Sequence, residues 1–192
     1  VAVIDPTLTY SGIEAKLAET TNPRHRLMLQ KLLQHSRGEV EEDLEAVMDT
    51  LAPEPVYRIW SGGPEMNPAG TDNVRRFYIE QIFGKGRHCL EFNQDRITVA
   101  DDAIVNEGVL RTVMWGRDLI DTGKPVDDPD GAYLVHYRML IVWPYDAEGR
   151  IIGEESWSSI PKDNARKIDE ADAPDNFRRY VARRRAELAT AA

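Results

Sequence analysis

The stretch from Ala132 to Trp143, AYLVHYRMLIVW, does most to restrict what this chain can fold into. It is dense in β-branched and aromatic residues and is closed by Pro144 and the turn-like Asp146-Ala147-Glu148-Gly149, so it reads as a long central strand. Side chains alternate along a strand. Leu134, His136, Arg138, Leu140 and Val142 therefore share one face, while Tyr133, Val135, Tyr137, Met139, Ile141 and Trp143 share the other. The second face is apolar throughout and reads as a packed interface. The first is apolar at its ends and carries a histidine and an arginine between them, which costs free energy unless those groups meet a partner, water or a ligand. It reads as the floor of a pocket. A face of Tyr133, Tyr137, Met139, Ile141 and Trp143 would be a large exposed patch on a monomer, so a homodimer or homotrimer through it is expected.

The rest of the chain supplies helices first and strands later. Asn22-Pro23 opens a helix expected over Pro23 to Arg37, with Met28, Leu32 and His35 on one stripe, after a short helical candidate around Ile13 to Glu19. Gly38 is expected to break it. Val40, Leu44, Val47, Met48 and Leu51 then outline a second helix ending before Pro53. A short strand follows at Val56 to Trp60, then a glycine- and proline-rich loop, then a helix capped by Thr71 or Asp72. From Arg87 onward the runs His88 to Val99, Ala103 to Trp115, Ala132 to Trp143 and Arg150 to Ile160 read as strands. The polar connection from Asp118 to Gly131 reads as a mobile loop, and Phe177, Tyr180, Val181, Arg184 and Leu188 outline a last amphipathic helix. This order defines an α+β domain with a strongly curved antiparallel sheet packed on N-terminal helices. Residues 1–22 form an N-terminal extension, 23–162 the domain, and 163–192 a C-terminal helical extension.

Composition narrows the function classes. A chain of 192 residues is one domain with some decoration, and no apolar run approaches the ~18 residues a membrane span needs. The net charge of -9 argues against a general affinity for nucleic acid, and the arginines from Arg178 to Arg185 read as a solvated helix face. The single cysteine, Cys89, leaves no internal disulfide framework or cysteine-based zinc site. With no export signal in VAVIDP, the expected location is cytoplasmic. The histidines, at 25, 35, 88 and 136, show no short ligand spacing, and neither a phosphate-binding glycine loop nor GxSxG occurs, so no metal or cofactor is expected.

His35 followed by an acidic helix ending in LAPEPVYRIW, the GTDNVRRFY helix opening, the ADDAIVNEG turn and strand, the TGKPV loop and the closing DAEGRIIGEESW together resemble the nuclear transport factor 2-like, SnoaL-like superfamily. That superfamily includes ketosteroid isomerase and scytalone dehydratase, and the similarity spans roughly Arg24 to Lys162. The resemblance implies an α+β barrel domain over 23–162, a cone whose concave face holds a small, mostly apolar molecule. It also implies catalysis by acid, base and hydrogen-bonding side chains without a cofactor. The fold hosts cyclases, isomerases, dehydratases, lyases, hydrolases and binding modules. Many SnoaL-like cyclases carry a histidine and an aspartate at positions that fall near Met114 and Ser159 here. Neither residue is a strong base, so the cyclase mechanism does not transfer.

Within that frame His136 is the expected proton-transfer group and Arg138 the expected anion or oxyanion stabiliser. The alternative for that pair is a buried one satisfied by a carboxylate such as Glu154. His88 corresponds to a pocket histidine of scytalone dehydratase, or is an exposed strand-start residue. Tyr57 either points its hydroxyl into the pocket, as tyrosines do in similar dehydratases and isomerases, or is a core tyrosine with a wet tip. His35 is either a further acid–base group or a satisfied core histidine. Asn106, Leu110 and Met114 share a pocket-facing strand face with Gly108 and Thr112, and Trp60, Tyr78 and Glu154 complete the expected substrate-binding set. Glu107 would join them only if a bulge reversed the strand. The expected function is a cofactor-independent lyase, dehydratase or isomerase for a small aromatic or polycyclic molecule, with loss of water or formaldehyde from an aromatic diol in its range. The alternative is a ligand-binding or assembly module of the same fold.

Overall fold

The computed structural model describes residues 2–60, 62–161 and 163–191. Helices α1 (Leu8–Glu19), α2 (Pro23–Glu41) and α3 (Leu44–Met48) precede strand β1 (Leu51–Ile59). Helix α4 (Thr71–Phe77) widens into a π-type turn over Tyr78–Phe83. Then come β2 (Leu90–Val99), β3 (Ala103–Trp115), α5 (Gly116–Asp121), β4 (Ala132–Pro144), β5 (Ile151–Ser159), β6 (Ala165–Ile168) and α6 (Asp175–Ala191). Two boundaries differ from expectation in ways that matter. The Asn22 side chain caps α2 as its sequence suggests, but the helix does not stop at Gly38; it runs to Glu41 and ends on Glu42 at φ 59°. A Cβ at Gly38 would meet Val47 Cγ2 at 3.0 Å and the Asp43 carbonyl oxygen at 3.1 Å. This glycine is there for the close return of the chain, and the extra helical turn carries Glu39. The loop expected after Asp118 also begins inside a helix, α5.

The sheet order is β1-β5-β4-β3-β2, with β6 paired to β4. Strands β2 to β5 pair antiparallel, but β1 runs parallel to β5, so the curved sheet is mixed, not wholly antiparallel, and it is open. Strand β6 pairs with Ala132 to Val135 of β4, and β5 pairs with Arg138 to Val142. The segment read as a C-terminal extension thus supplies a strand as well as a helix.

The main core fills the space between the helices and the inner face of the sheet, with Met28, Leu32, Tyr57, Tyr78 and Trp143 among its members. A second core lies on the outer face, where Phe177, Tyr180 and Val181 of α6 cover Val113, Trp115, Ala132 and Leu134.

Register decides which side chains meet. The face expected of β3 holds: Asn106, Gly108, Leu110 and Thr112 are buried on the inner side, and Met114 is half-buried there. On β4, Tyr137 stands opposite Leu110, Val135 opposite Thr112 and Met139 opposite Gly108, and directly opposed residues share a face. The faces expected of β4 are therefore inverted. His136 and Arg138 are exposed on the outer side, where Arg138 Nη1 pairs with Asp95 Oδ2 at 2.8 Å. The physical reason is plain: polar groups in mid-strand sit where water solvates them, while the apolar residues flanking them, Ala132 and Leu134, are covered by α6. The aromatic face of β4 is a wall of the interior, with Tyr133 and Trp143 each 4 % exposed, and is not the exposed patch expected there. Exposed aromatics occur instead on the outer face, where Trp60 stacks on Trp157 with ring centroids 5.6 Å apart.

Candidate functional site

A cavity of about 850 Å³ opens between the inner face of the sheet and the helices. Its walls are mostly apolar: Leu110, Thr112 and Met114 from β3, Val135, Tyr137 and Met139 from β4, and Phe77, Tyr78 and Ile82 from the α4 region. A few polar groups enter it, and these decide what it can do.

Among the described residues five carboxyl groups line it, those of Glu39, Glu65, Asp118, Asp121 and Glu154, and burial acts most strongly on the first and the last. Glu39 comes from the last turn of α2, and Glu154 from β5, where it stands opposite Tyr57 of β1. Gly153 makes this approach feasible, because a Cβ there would meet the Val56 carbonyl oxygen at 1.9 Å. Only glycine lets β1 close on β5 at that point. Burial pushes the Glu154 carboxyl up to about 7. Burial, reinforced by the charge of Glu154, pushes Glu39 up to about 8. No cation among the described residues pairs with either one, so the two groups hold protons in the neutral range and influence each other.

Beside them runs a buried chain of hydrogen bonds whose directions can be assigned by counting donors. The Thr50 hydroxyl donates to the Val47 carbonyl at 2.6 Å, so at 2.8 Å from His35 Nδ1 it must accept. The proton of His35 is then on Nδ1. Nε2 accepts from the Tyr78 hydroxyl at 2.9 Å, and the Tyr78 oxygen accepts in turn from the Tyr57 hydroxyl at 3.1 Å. Burial lowers the His35 pKa to about 3, outweighing its backbone hydrogen bond with Val47, so the ring stays neutral. Burial likewise keeps both tyrosines protonated. The chain fixes the Tyr78 ring in the cavity wall at the start of the π-type turn, a kind of helix irregularity frequent at functional sites.

The third polar feature is Arg87, half-buried just before β2 with its side chain lining the cavity. Lys85 at the mouth is held by Asp121 at 2.8 Å.

The residues expected from sequence separate into three groups. Tyr78, Leu110, Met114 and Glu154 line the cavity. His35 and Tyr57 stand behind Tyr78 and reach the cavity only through it. The others lie elsewhere. Asn106 is buried within the sheet layer and accepts from Trp143 Nε1 at 3.0 Å. His88 is buried beneath α6, its Nε2 3.7 Å from Glu42 Oε2, because the residues before β2 turn toward the second core. Trp60, His136 and Arg138 are exposed. Glu39 and Arg87 were missed. Glu39 lies four residues after His35 on the same helix stripe, a signal that the expected break at Gly38 hides. Arg87 lies in a turn, where no periodicity points anywhere.

No family model matches the sequence, and no curated protein aligns with it. Solved structures do match. A protein described as a SnoaL-like polyketide cyclase from Jannaschia sp. CCS1 is 14% identical, with 73% of this chain and 91% of that one covered at a TM-score of 0.55. An NTF2-like protein from Anabaena variabilis is 12% identical over 74% and 96% of the two chains, at 0.56. A Mycobacterium tuberculosis protein in complex with estradiol-17beta-hemisuccinate is 14% identical over 73% and 98%, at 0.51. The fold is thus that of the NTF2-like, SnoaL-like superfamily. No helix among the described residues is long and apolar enough to cross a membrane.

Proposed function

We propose that this protein is a cofactor-independent acid–base enzyme, a lyase, dehydratase or isomerase, that acts on a small aromatic or polycyclic molecule held in the cavity. The observation that carries the reading is the carboxyl pair: Glu39 and Glu154 face one largely apolar space with their protons retained up to about 8 and about 7. Between those values the pair holds roughly one proton, so an ionised base and a protonated acid stand in the same pocket. The ionised carboxylate takes a proton from a carbon activated by a neighbouring carbonyl or aromatic ring. The protonated partner gives its proton to a departing hydroxyl, which leaves as water, or to another carbon, which completes an isomerisation. Tyr78, held by His35 and Tyr57, is a positioning residue on the wall, and His136 and Arg138 take no part. The steroid ester held by the M. tuberculosis protein is a ligand of the size this cavity accommodates.

The test is a screen of aromatic and polycyclic substrates by mass change, followed by a pH–rate profile of any that turn over. Glu39→Gln and Glu154→Gln should each remove a limb of that profile. A profile that neither change alters would sink the assignment. A ligand carrier with the same cavity would bind these compounds and have no rate to titrate.

A further inference from the structure

Among the described residues Arg87 is a cation without an ion-pair partner, on the wall of the cavity. Its backbone N–H donates to the Ile82 carbonyl at 2.8 Å, which fixes the turn leading into β2. Among the described residues its guanidinium makes one hydrogen bond, from Nη1 to the Met66 sulfur at 2.7 Å, and a thioether is a weak acceptor. Arg58, Arg75, Arg111, Arg117 and Arg138 each have a carboxylate in contact; among the described residues Arg87 has none. It is half-buried, and although the carboxylates of Glu65 and Asp118 line the same cavity, neither is in ion-pair contact with it.

We propose that Arg87 binds a carboxylate carried by the substrate, so that the protein selects small aromatic or polycyclic monoacids. The planar guanidinium presents paired N–H groups that match the two oxygens of a carboxylate. A doubly charged phosphate suits the site less, because Lys85 is already engaged by Asp121, and Glu65 and Asp118 lie close enough to Arg87 to act on its charge. Tyr137 lines the same cavity and feels the charges of all three groups: burial pushes its hydroxyl up to about 12, Arg87 opposes the rise, and Glu39 and Glu154 add to it. A substrate with its carboxylate at Arg87 would therefore lie along Tyr137 with its reacting carbon toward Glu39 and Glu154. That orientation rests on the proposed function; the carboxylate site itself does not.

Calorimetric titration with 2-naphthoate and its neutral analogue 2-naphthamide tests the site without turnover. Wild-type protein should bind the acid at least ~10-fold more tightly than the amide, the scale of a charge-assisted pair. Arg87→Met should abolish that preference while still binding the amide, and Arg87→Lys should keep part of it. Equal affinities in the wild type, no detectable naphthoate binding, or an undiminished preference in Arg87→Met would each overturn the proposal. If Arg87→Met does not fold, the wild-type comparison and Arg87→Lys still decide. Because binding is measured and not rate, failure here leaves the carboxyl pair standing, and a normal rate in Glu39→Gln leaves Arg87 standing.

Discussion

The two faces of β4 differ in a way that is easy to read backwards. One carries Val135, Tyr137, Met139 and Trp143 and is apolar, yet it borders the cavity. The other carries His136 and Arg138, both exposed, beyond the part that α6 covers. An apolar strand face can be a core, an interface or the wall of a binding space, and the space inside this protein is walled by the same residues that would make a core. Polar groups in mid-strand are costly only where water is absent, and here water reaches them.

The largest effect that could break this comparison is in turnover. Glu154→Gln or Glu39→Gln on the inner side should lower it by roughly 10²-fold or more, while His136→Gln and Arg138→Met outside should change it less than about twofold. If the outer pair lost activity and the inner pair did not, the assignment of the faces to function would be reversed. Next is the response of stability to pH. Both carboxyls have folded values, about 8 and about 7, above their ordinary 4.5, so the native state holds protons that the unfolded chain releases earlier. Their contribution is fully present below that ordinary value and is lost as pH rises through the folded values, at up to about 1.4 kcal/mol per pH unit for each group. Urea unfolding across this window should show the decline, and the double glutamine variant should flatten it. A smaller effect is expected at Tyr78→Phe, which leaves His35 Nε2 without its donor and the Tyr57 hydroxyl without its acceptor. Denaturation should register a loss of about 1–3 kcal/mol. The smallest belongs to the outer face again: Arg138→Met breaks an exposed ion pair with Asp95 and should cost at most about 1 kcal/mol, less as salt is raised.

The strands themselves were legible. Ala103 to Trp115 is β3 as its composition and turns suggest, and the stretch from Ala132 is β4. The parity of β4 relative to β3 was not, because it depends on how α5 and the chain up to Gly131 bring Met114 opposite Tyr133; a shift of one residue exchanges the faces. Of the carboxyl pair, Glu154 was named from sequence and Glu39 was not, since a glycine inside a helix is locally indistinguishable from a glycine that ends one. What told them apart was the close approach of Val47 to Gly38, a tertiary contact. The cavity is likewise a property of packing. It has no local pattern in the sequence beyond the apolar strands that surround it.

The parallel pairing of β1 with β5 sets the order in which the site can be assembled. Leu51 pairs with Ile151, and Tyr57 with Glu154, so the strand beside the helices finds its neighbour only after nearly all of the sheet has been synthesised. On the ribosome, α2 emerges with Glu39 long before Glu154 exists. Closing so long a stretch of chain gains nothing until its ends meet, which makes this step slow relative to the hairpins of β2, β3 and β4. A nascent chain halted before β5 therefore has helices and a partial sheet with their apolar faces open to chaperones, and it acquires its carboxyl pair in the same event that seals its edge.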